Sequence, residues 1–521
     1  MDIRAALPVS LPHPHPTTSY WQDPPDALLA DYRSPDAGLF TTEDGGREGE
    51  VVDTVIVGSG ISGARVAWGL LGDGGESGEV RDGERGETGG QERGGMRKRK
   101  TVVMLEARQA CSGATGRNGA HTKAASYRSF PSNVSLLGVD EALRIARLEY
   151  RNILAVHAFA AKYKIECESR VCDTVDVIFD DVQWRQCVEA VGLMKRLFIE
   201  EGDAEGIARY ELFDKEEARK KYLVKGEDMG QVKGGVRYAA GSINAYRFVC
   251  GVLKLCLSRG LELHTHTPVL SLSRRNSIWN IHTPRGIIKA IRVVLATNAY
   301  TSSLAPSFQG SIVPLRGQVT AQIPRKGLPP DGLQTTYSFI YANGYEYMVP
   351  RPADTRFPGD IVIGGGLVKA SDEGVGEFGT VDDSGLNPVI STYLKDSLVG
   401  YFGESWGEDC NGEGGRVRCE WTGIMGYTPD GFPFVGRVPG EGNEGLWVSA
   451  GFVGHGMVLC WECGGKLVEI MMQESGEGGD EVGDDGGEGF PRAFLVDGGR
   501  LRERFRGRLH TGCGDGDGGR V

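Results

Sequence analysis

A chain of 521 residues, 40% hydrophobic and 25% charged, is long enough to bury a large core in two or more domains. Its formal net charge of −12 argues against nucleic acid as the main partner, and no stretch reaches the ~18 to 20 apolar residues of a membrane span. Glycine, at 79 residues, is about twice its usual ~7% share, with much of the excess in low-complexity stretches.

The first residues, MDIRAALPVSLPHPHP, lack an apolar core long enough for a secretory signal, and the final DGDGGRV is no retention or peroxisomal signal. Eleven cysteines without framework spacing read as reduced, buried thiols, so the expected compartment is the cytoplasm. Residues 1–50 are rich in Pro, Asp and Gly, with an aromatic pair at Tyr20-Trp21 and a helix expected around Asp26 to Asp31. Two readings stand for this leader: a segment draped over the first domain and docked by Trp21, or a disordered tail.

Residues 53–63 read DTVIVGSGISG, a β-branched strand (Val55, Ile56, Val57) that meets glycines at Gly58, Gly60 and Gly63 before the helical ARVAWGLL. In a dinucleotide turn the first glycine allows the sharp bend, the second lets a pyrophosphate approach, and the third lets the helix pack on the sheet. The helix N-terminus then offers N–H groups and partial positive charge to phosphates. Residues 72–100 are almost wholly Gly, Glu, Arg and Lys and are expected to be a disordered insertion, its basic end Arg97 to Lys100 a solvated charge run. The strand TVVMLEAR follows at 101–108, and Glu106 at its end suits a carboxylate on ribose hydroxyls once the insertion is discounted. That carboxylate disfavours NADP and fits NAD or FAD. The polar, glycine-rich segment 107–127 carries Arg117, Asn118, His121 and Lys123, a composition that suits a cradle for an isoalloxazine.

Further on, helical spacing appears at 139–164 and 182–201 and a strand at 171–179. Residues 233–260 read as a loop and a helix. Strands are expected over 261–300, 311–323, 335–350 and 360–368, a β-rich stretch unlike a nucleotide sheet. A Gly/Glu loop at 402–418 precedes WTGIMGYTPDGFPFVG (421–436), then GLWVSAGFVGHGM (445–457) as a second strand–glycine-turn–helix arrangement running to about Met472. Cys460 and Cys463 lie in that helix and read as buried thiols. His264 and His266 have no third ligand, and no metal site is expected.

The fold class implied is α/β, a discontinuous Rossmann-type nucleotide domain with a β-rich, antiparallel or mixed-sheet substrate domain. The expected boundaries are 1–50 leader; 51–130, 236–310 and 419–473 nucleotide domain; 131–235 and 311–418 substrate domain. After these come 474–489 acidic low complexity, 490–506 folded and 507–521 a flexible tail.

With these motifs in place, the chain resembles the FAD-dependent oxidoreductases of the D-amino-acid oxidase superfamily over roughly 50–475 and 490–505. SGATGRNGAHT (112–122), LATNAYT (295–301), VPLRGQ (313–318) and GFVGHGM (451–457) are most similar to the γ-glutamylputrescine-oxidase-like branch. The resemblance implies that Gly58, Gly60, Ile61, Ser62, Gly63 and Glu106 hold the ADP half of FAD. It implies Arg108, Ser112, Thr115, Arg117, Asn118, Gly119 and His121 along the pyrophosphate and flavin, Val269 at the adenine, and Thr297 and Asn298 over the cofactor. Gly426, Phe452, Gly454, His455, Gly456 and Met457 would meet the isoalloxazine, with the following helix aimed at the flavin N1/O2 edge. Some relatives attach flavin through a Cys near the place of Met425, so the FAD expected here is non-covalent.

The reaction implied is oxidation of a C–N bond of an amine or amino acid by hydride transfer to flavin N5, imine hydrolysis, and reoxidation by oxygen. The alternatives are a dehydrogenase of the same fold that passes electrons to a carrier, and a flavin-binding protein without turnover. Candidates for substrate and oxygen contacts are Lys123, Arg316 and Arg351, with Tyr345 and Tyr347 as hydroxyl donors. His455 and His121 are candidates for a local positive charge beside the flavin.

Overall fold

The apolar run Val51–Val57 forms a strand at the middle of a mostly parallel sheet, buried on both sides as continuous β-branched runs require. Val102–Leu105 and Gly286–Leu295 flank it in parallel; Leu261–His264 and Leu446–Ala450 extend the sheet outward in parallel. Five parallel strands thus come from four regions scattered between residues 51 and 450. The computed structural model describes residues 1–35, 38–41, 50–72, 100–200, 206–226, 229–407, 415–474 and 489–504. Residues 73–99 of the expected insertion, 475–488 of the acidic stretch and the tail 505–521 lie outside the described residues.

Three helices, Ile61–Leu71, Ala245–Ser258 and Cys460–Glu474, pack together on one face of this sheet through Ala64, Ala67, Val252, Leu253, Cys463 and Leu467. The other face is covered by the antiparallel ribbon Ser271–Arg275, Ile278–Thr283 and Gly286–Leu295. A second sheet runs Val417–Tyr427, Val313–Gln322, Ile361–Gly364, Gly344–Pro350, Thr336–Tyr341, Arg170–Ile178, Gly234–Ser242 and His121–Thr122. It is antiparallel except where Thr336–Tyr341 joins Arg170–Ile178 in parallel. No helix among the described residues is long and apolar enough to cross a membrane.

Two boundaries differ from those expected. Gly234–Ser242, read from sequence as a loop, is a nine-residue strand of the second sheet. Its glycines hid it, and packing explains them: a Cβ on Gly235 would sit 2.3 Å from the Phe213 ring, and one on Gly241 would sit 2.6 Å from His157. Val417–Tyr427 pairs along its length with Val313–Gln322, so the last nucleotide-sheet segment begins at Phe434–Arg437 and not at 419. The helix expected at Asp26 to Asp31 is instead a turn, because Asp26 Oδ1 accepts from the Leu28 and Leu29 N–H groups at 3.0 Å.

The leader is docked. Trp21 is buried and donates from Nε1 to the Asn118 carbonyl at 2.5 Å, while the Tyr20 ring stacks on Trp421. Residues 489–504 also dock, with Phe494 buried and Arg500 paired to Asp430 at 2.7 Å. Nine cysteines among the described residues are free thiols, seven of them buried. Trp21→Ala removes the leader's largest anchor and leaves the Asn118 carbonyl without this donor. The expected loss is about 3 kcal/mol, read as a lower urea midpoint and as new protease cleavage within residues 1–35.

Candidate active site

A cavity of about 380 Å³ runs from the first glycine turn, between the two sheets, to the inner wall of the second sheet. At the nucleotide end the backbone makes the site. Gly58 has φ +106°, and a Cβ there would lie 2.6 Å from the Ala296 carbonyl oxygen; one on Gly63 would lie 2.0 Å from the Gly58 oxygen. Thr115 Oγ1 accepts from the Ile61 N–H at 3.1 Å. The N–H groups of Gly60, Ser62 and Gly63 find no acceptor among the described residues. Gly60, Ile61 and Ser62 line the cavity; Gly63 lies behind them and allows the close helix packing. This is a donor set for a diphosphate.

Glu106 lines the same end, as does Val269. One Glu106 oxygen accepts from the Ser59 N–H (3.0 Å) and hydroxyl (2.7 Å), the other from the Arg108 N–H (3.1 Å). Ser59 thus orients the carboxylate, a role that sequence reasoning missed.

Arg108 and Arg117 touch the cavity, but their donors point mainly into protein. Arg108 bonds both oxygens of Asp383 at 3.0 Å, the His13 carbonyl and the Ser112 carbonyl. Arg117 bonds the Ser112, Thr17 and Thr422 carbonyls and lies 3.7 Å from Asp383. Burial, with Arg108 adding, pulls the Arg117 guanidinium down to about 10, still cationic at neutral pH. Ser112, expected along the cofactor, lies behind the wall and holds both arginines through its carbonyl. Asp383 is fully buried and had no sequence signal.

At the far end Asn118 bonds the Thr115 carbonyl and Met457 Sδ, and Gly119 leaves room for the Tyr347 ring, which a Cβ would meet at 2.1 Å. Asn298 Oδ1 accepts from the Gly451 (3.0 Å) and Phe452 (3.2 Å) N–H groups and so ties the second glycine turn to the first sheet. Thr297 Oγ1 lies 2.9 Å from Thr301 Oγ1. Gly426, expected at the isoalloxazine, lies outside the cavity wall; its carbonyl accepts from the Val453 N–H at 2.8 Å. Phe452, Gly454, His455, Gly456 and Met457 do line the cavity. The N–H groups of Gly454, Gly456 and Met457 find no acceptor among the described residues. The first turn of the helix Cys460–Glu474 is capped from another element. Asn152 Oδ1 accepts from Trp461 and Glu462 at 3.0 Å, while its Nδ2 holds the Met457 carbonyl at 3.1 Å.

On the second sheet, Lys123 lines the cavity and bonds Asp176 and the Ser338 hydroxyl. Asp176 also accepts from Tyr127 (2.8 Å) and Tyr238 (2.9 Å). Burial lowers the Lys123 ammonium, and Asp176 opposes that shift. Arg316 lines the cavity beside Glu377, 2.6 Å from its Nε. Tyr345 and Tyr347 also line it. Arg351 does not: it is buried against Glu168 with its guanidinium 4.8 Å over the Trp21 ring, so it is a structural cation of the leader dock. Arg128, which the sequence reading passed over, lines the cavity with its guanidinium 4.8 Å over Tyr345. His121 reaches Thr336 Oγ1 at 2.6 Å and is held well below its ordinary value by burial. His455 lines the cavity and presents an exposed ring to it. Burial, with Arg128 and Lys123 adding, lowers it too, so both imidazoles are neutral at pH 7 and neither is the positive charge expected from sequence. Met425 lines the cavity; Cys419, at the far end of the same strand, points at the Thr18 carbonyl. Among the described residues no His/Cys/Asp/Glu group could hold a metal ion.

These residues fit FAD: two sets of open N–H groups, a carboxylate at the nucleotide end, and a cavity that joins them. Gly63→Ala forces a Cβ onto the Gly58 carbonyl, and protein purified with it is expected to lack the visible flavin band. Asp383→Asn leaves two adjacent buried guanidiniums without their carboxylate, a penalty of about 3 kcal/mol, seen as flavin lost on gel filtration. Glu149, buried and bonded by Ser126 Oγ at 2.5 Å, is raised by burial to about 7. Its contribution is fully present below about pH 4.5 and is lost as pH rises through about 7. Glu149→Gln is expected to match the wild type in denaturant midpoint at pH 4 and to exceed it at pH 8, by about 2 kcal/mol.

Residues 53–470 match a family described as FAD dependent oxidoreductase. The probable oxidoreductase OrdL of Haemophilus influenzae is 22% identical over 387 residues, 72% of this chain and 78% of that protein. The glycine oxidase of Pseudomonas putida is 27% identical over 203 residues, 38% of this chain and 47% of that enzyme. Among solved structures, glycine oxidase from Geobacillus kaustophilus superposes with TM-score 0.58 at 20% identity, covering 80% of this chain and 94% of that one. L-proline dehydrogenase from P. horikoshii gives 0.57 at 18% identity, covering 86% and 100%. With this match over most of its length and an FAD-shaped donor set in place, the chain belongs to the FAD dependent oxidoreductase family.

Proposed function

We propose that this protein oxidises the C–N bond of an amine or amino acid, with FAD held non-covalently and oxygen as the electron acceptor. The observation that carries this reading is the cavity that joins the nucleotide turn to a polar wall of the second sheet. Bound there, FAD supplies the hydride acceptor. The chain's own residues do the rest. The open N–H groups at Gly60–Gly63 and at Gly454–Met457 hold the two ends of the cofactor. Arg128, with Tyr345 under its guanidinium, places a positive charge on the cavity wall. Leu315, Leu367, Val368 and Ile390 add apolar surface beside the polar groups of that end.

Relatives named glycine oxidase support an amine or amino-acid substrate and an oxidase. The wall residue Met425, where a thiol would be needed for attachment, supports non-covalent FAD. Unpaired thiols support a reducing compartment, and the cytoplasm is part of the same proposal. The test is anaerobic: the visible flavin band is followed while glycine, N-methylglycine, L-proline and 1,4-diaminobutane are added in turn. Bleaching by at least one is expected, and colour that persists with every amine sinks the reading. Under air, stoichiometric hydrogen peroxide is expected; bleaching without peroxide would make the protein a dehydrogenase.

A further inference from the structure

The amine group of such a substrate arrives protonated at neutral pH, and a hydride can leave the adjacent carbon only when the nitrogen has a lone pair. Some group at the reacting end must take that proton. Among the described lining residues the sole carboxylate is Glu106, at the nucleotide end and already bonded to Ser59. Lys123 is an ammonium beside Asp176, and His121 Nε2 is taken up by Thr336. One base remains.

We propose that His455 is the general base that removes the proton from the substrate nitrogen. This rests on the amine reading above. The geometry fixes the tautomer. His455 Nδ1 lies 2.9 Å from the Val453 carbonyl oxygen, which can only accept, so Nδ1 carries the proton. Nε2 is therefore the lone-pair nitrogen, and it makes no hydrogen bond among the described residues. The ring is held by its own turn: Val453 N–H bonds the Gly426 carbonyl at 2.8 Å and His455 N–H bonds the Phe452 carbonyl at 2.7 Å. In the step, one N–H bond of the substrate ammonium breaks and one N–H bond forms at Nε2. Nδ1 keeps its proton, and the imidazolium later returns one proton to solvent.

The surroundings keep the imidazole in its basic form. Lys123 and Arg128 face it from the segment after His121, and both disfavour a second positive charge. From the strand Val417–Tyr427, the Tyr427 hydroxyl lies 3.2 Å from where a Cβ on Gly454 would be, and burial raises that phenol. From the helix behind, Cys460 is raised by burial to about 12. These two stay neutral at pH 7 and add no competing charge.

Two measurements test this. The first uses the full chain labelled with 15N-histidine, with His455 assigned by difference from His455→Gln. At pH 7 its Nδ1 is expected to be protonated and its Nε2 not; an imidazolium or an Nε2–H tautomer overturns the proposal whatever the substrate. The second is the anaerobic flavin-reduction rate against pH with the amine that bleaches the wild type. The wild type is expected to be level from pH 7 to 9. His455→Gln and His455→Asn, shown yellow before use, are expected to fall on the order of 100-fold at pH 7 and to rise about tenfold per pH unit as the free amine appears. A variant with the wild-type profile overturns the base while leaving the amine reading intact. Failure of the wild type itself to bleach sinks the amine reading and the base with it.

Discussion

Two guanidiniums and one carboxylate, buried together, hold this molecule in register. Arg108 and Arg117 repel each other, and neither could stay buried without Asp383 between them. Their remaining donors go to carbonyls at His13, Thr17, Ser112 and Thr422. Thr17 N–H in turn bonds the Asp383 carbonyl at 2.7 Å. The leader, the glycine-rich segment after the second strand, the loop before the helix Pro388–Phe402 and the long strand Val417–Tyr427 therefore meet at one point. The cluster carries one net positive charge beside the cavity, the sign a diphosphate requires. The first sheet, the second sheet and the leader can settle only in the arrangement that satisfies it.

The two ends of the cavity are built on different principles. The nucleotide end is backbone: glycines without side chains, open N–H groups, and one serine-oriented carboxylate. The reacting end is side chain, projected from the second sheet and kept rigid by buried polar networks. Asp176 collects Lys123, Tyr127 and Tyr238. Glu346, also fully buried, accepts from Tyr341, from Tyr401 and from the Gly366 N–H, and burial raises it. Tyr341 is itself a cavity residue, so this network fixes part of the wall. Satisfied networks of this kind hold side chains in one geometry, which a hydride transfer over a short distance needs.

This division explains what was legible in the sequence. Gly58, Gly60 and Gly63 were legible because the backbone itself demands them, and the demand has a fixed spacing. Glu106 became legible once the charged insertion was discounted. The second glycine turn was legible as strand, turn and helix, but the cap of that helix was not, because it comes from Asn152, some three hundred residues away. Arg351 shows the same limit for charges: nothing local in the sequence says that it belongs to Glu168 and Trp21. Asp383 sits in an ordinary acidic loop, VDDSG, and only the fold brings it to the arginines. The leader could not be decided from composition, since its dock depends on Trp421 and Asn118. Residues whose work depends on partners distant in sequence stayed illegible.

The charge arrangement also decides how a substrate is selected. The chain carries a net charge of −12, which at a distance repels an anionic substrate. Lys123 and Arg316 each sit beside a carboxylate, Asp176 and Glu377, so their fields largely cancel beyond a few ångströms. Salt screens what remains over about 8 Å. Long-range steering therefore contributes little, and discrimination must occur by contact inside the cavity. There Arg128, its guanidinium 4.8 Å over the Tyr345 ring, is one of the cations on the wall. Burial is the main cause that lowers His455, with Arg128 and Lys123 adding less.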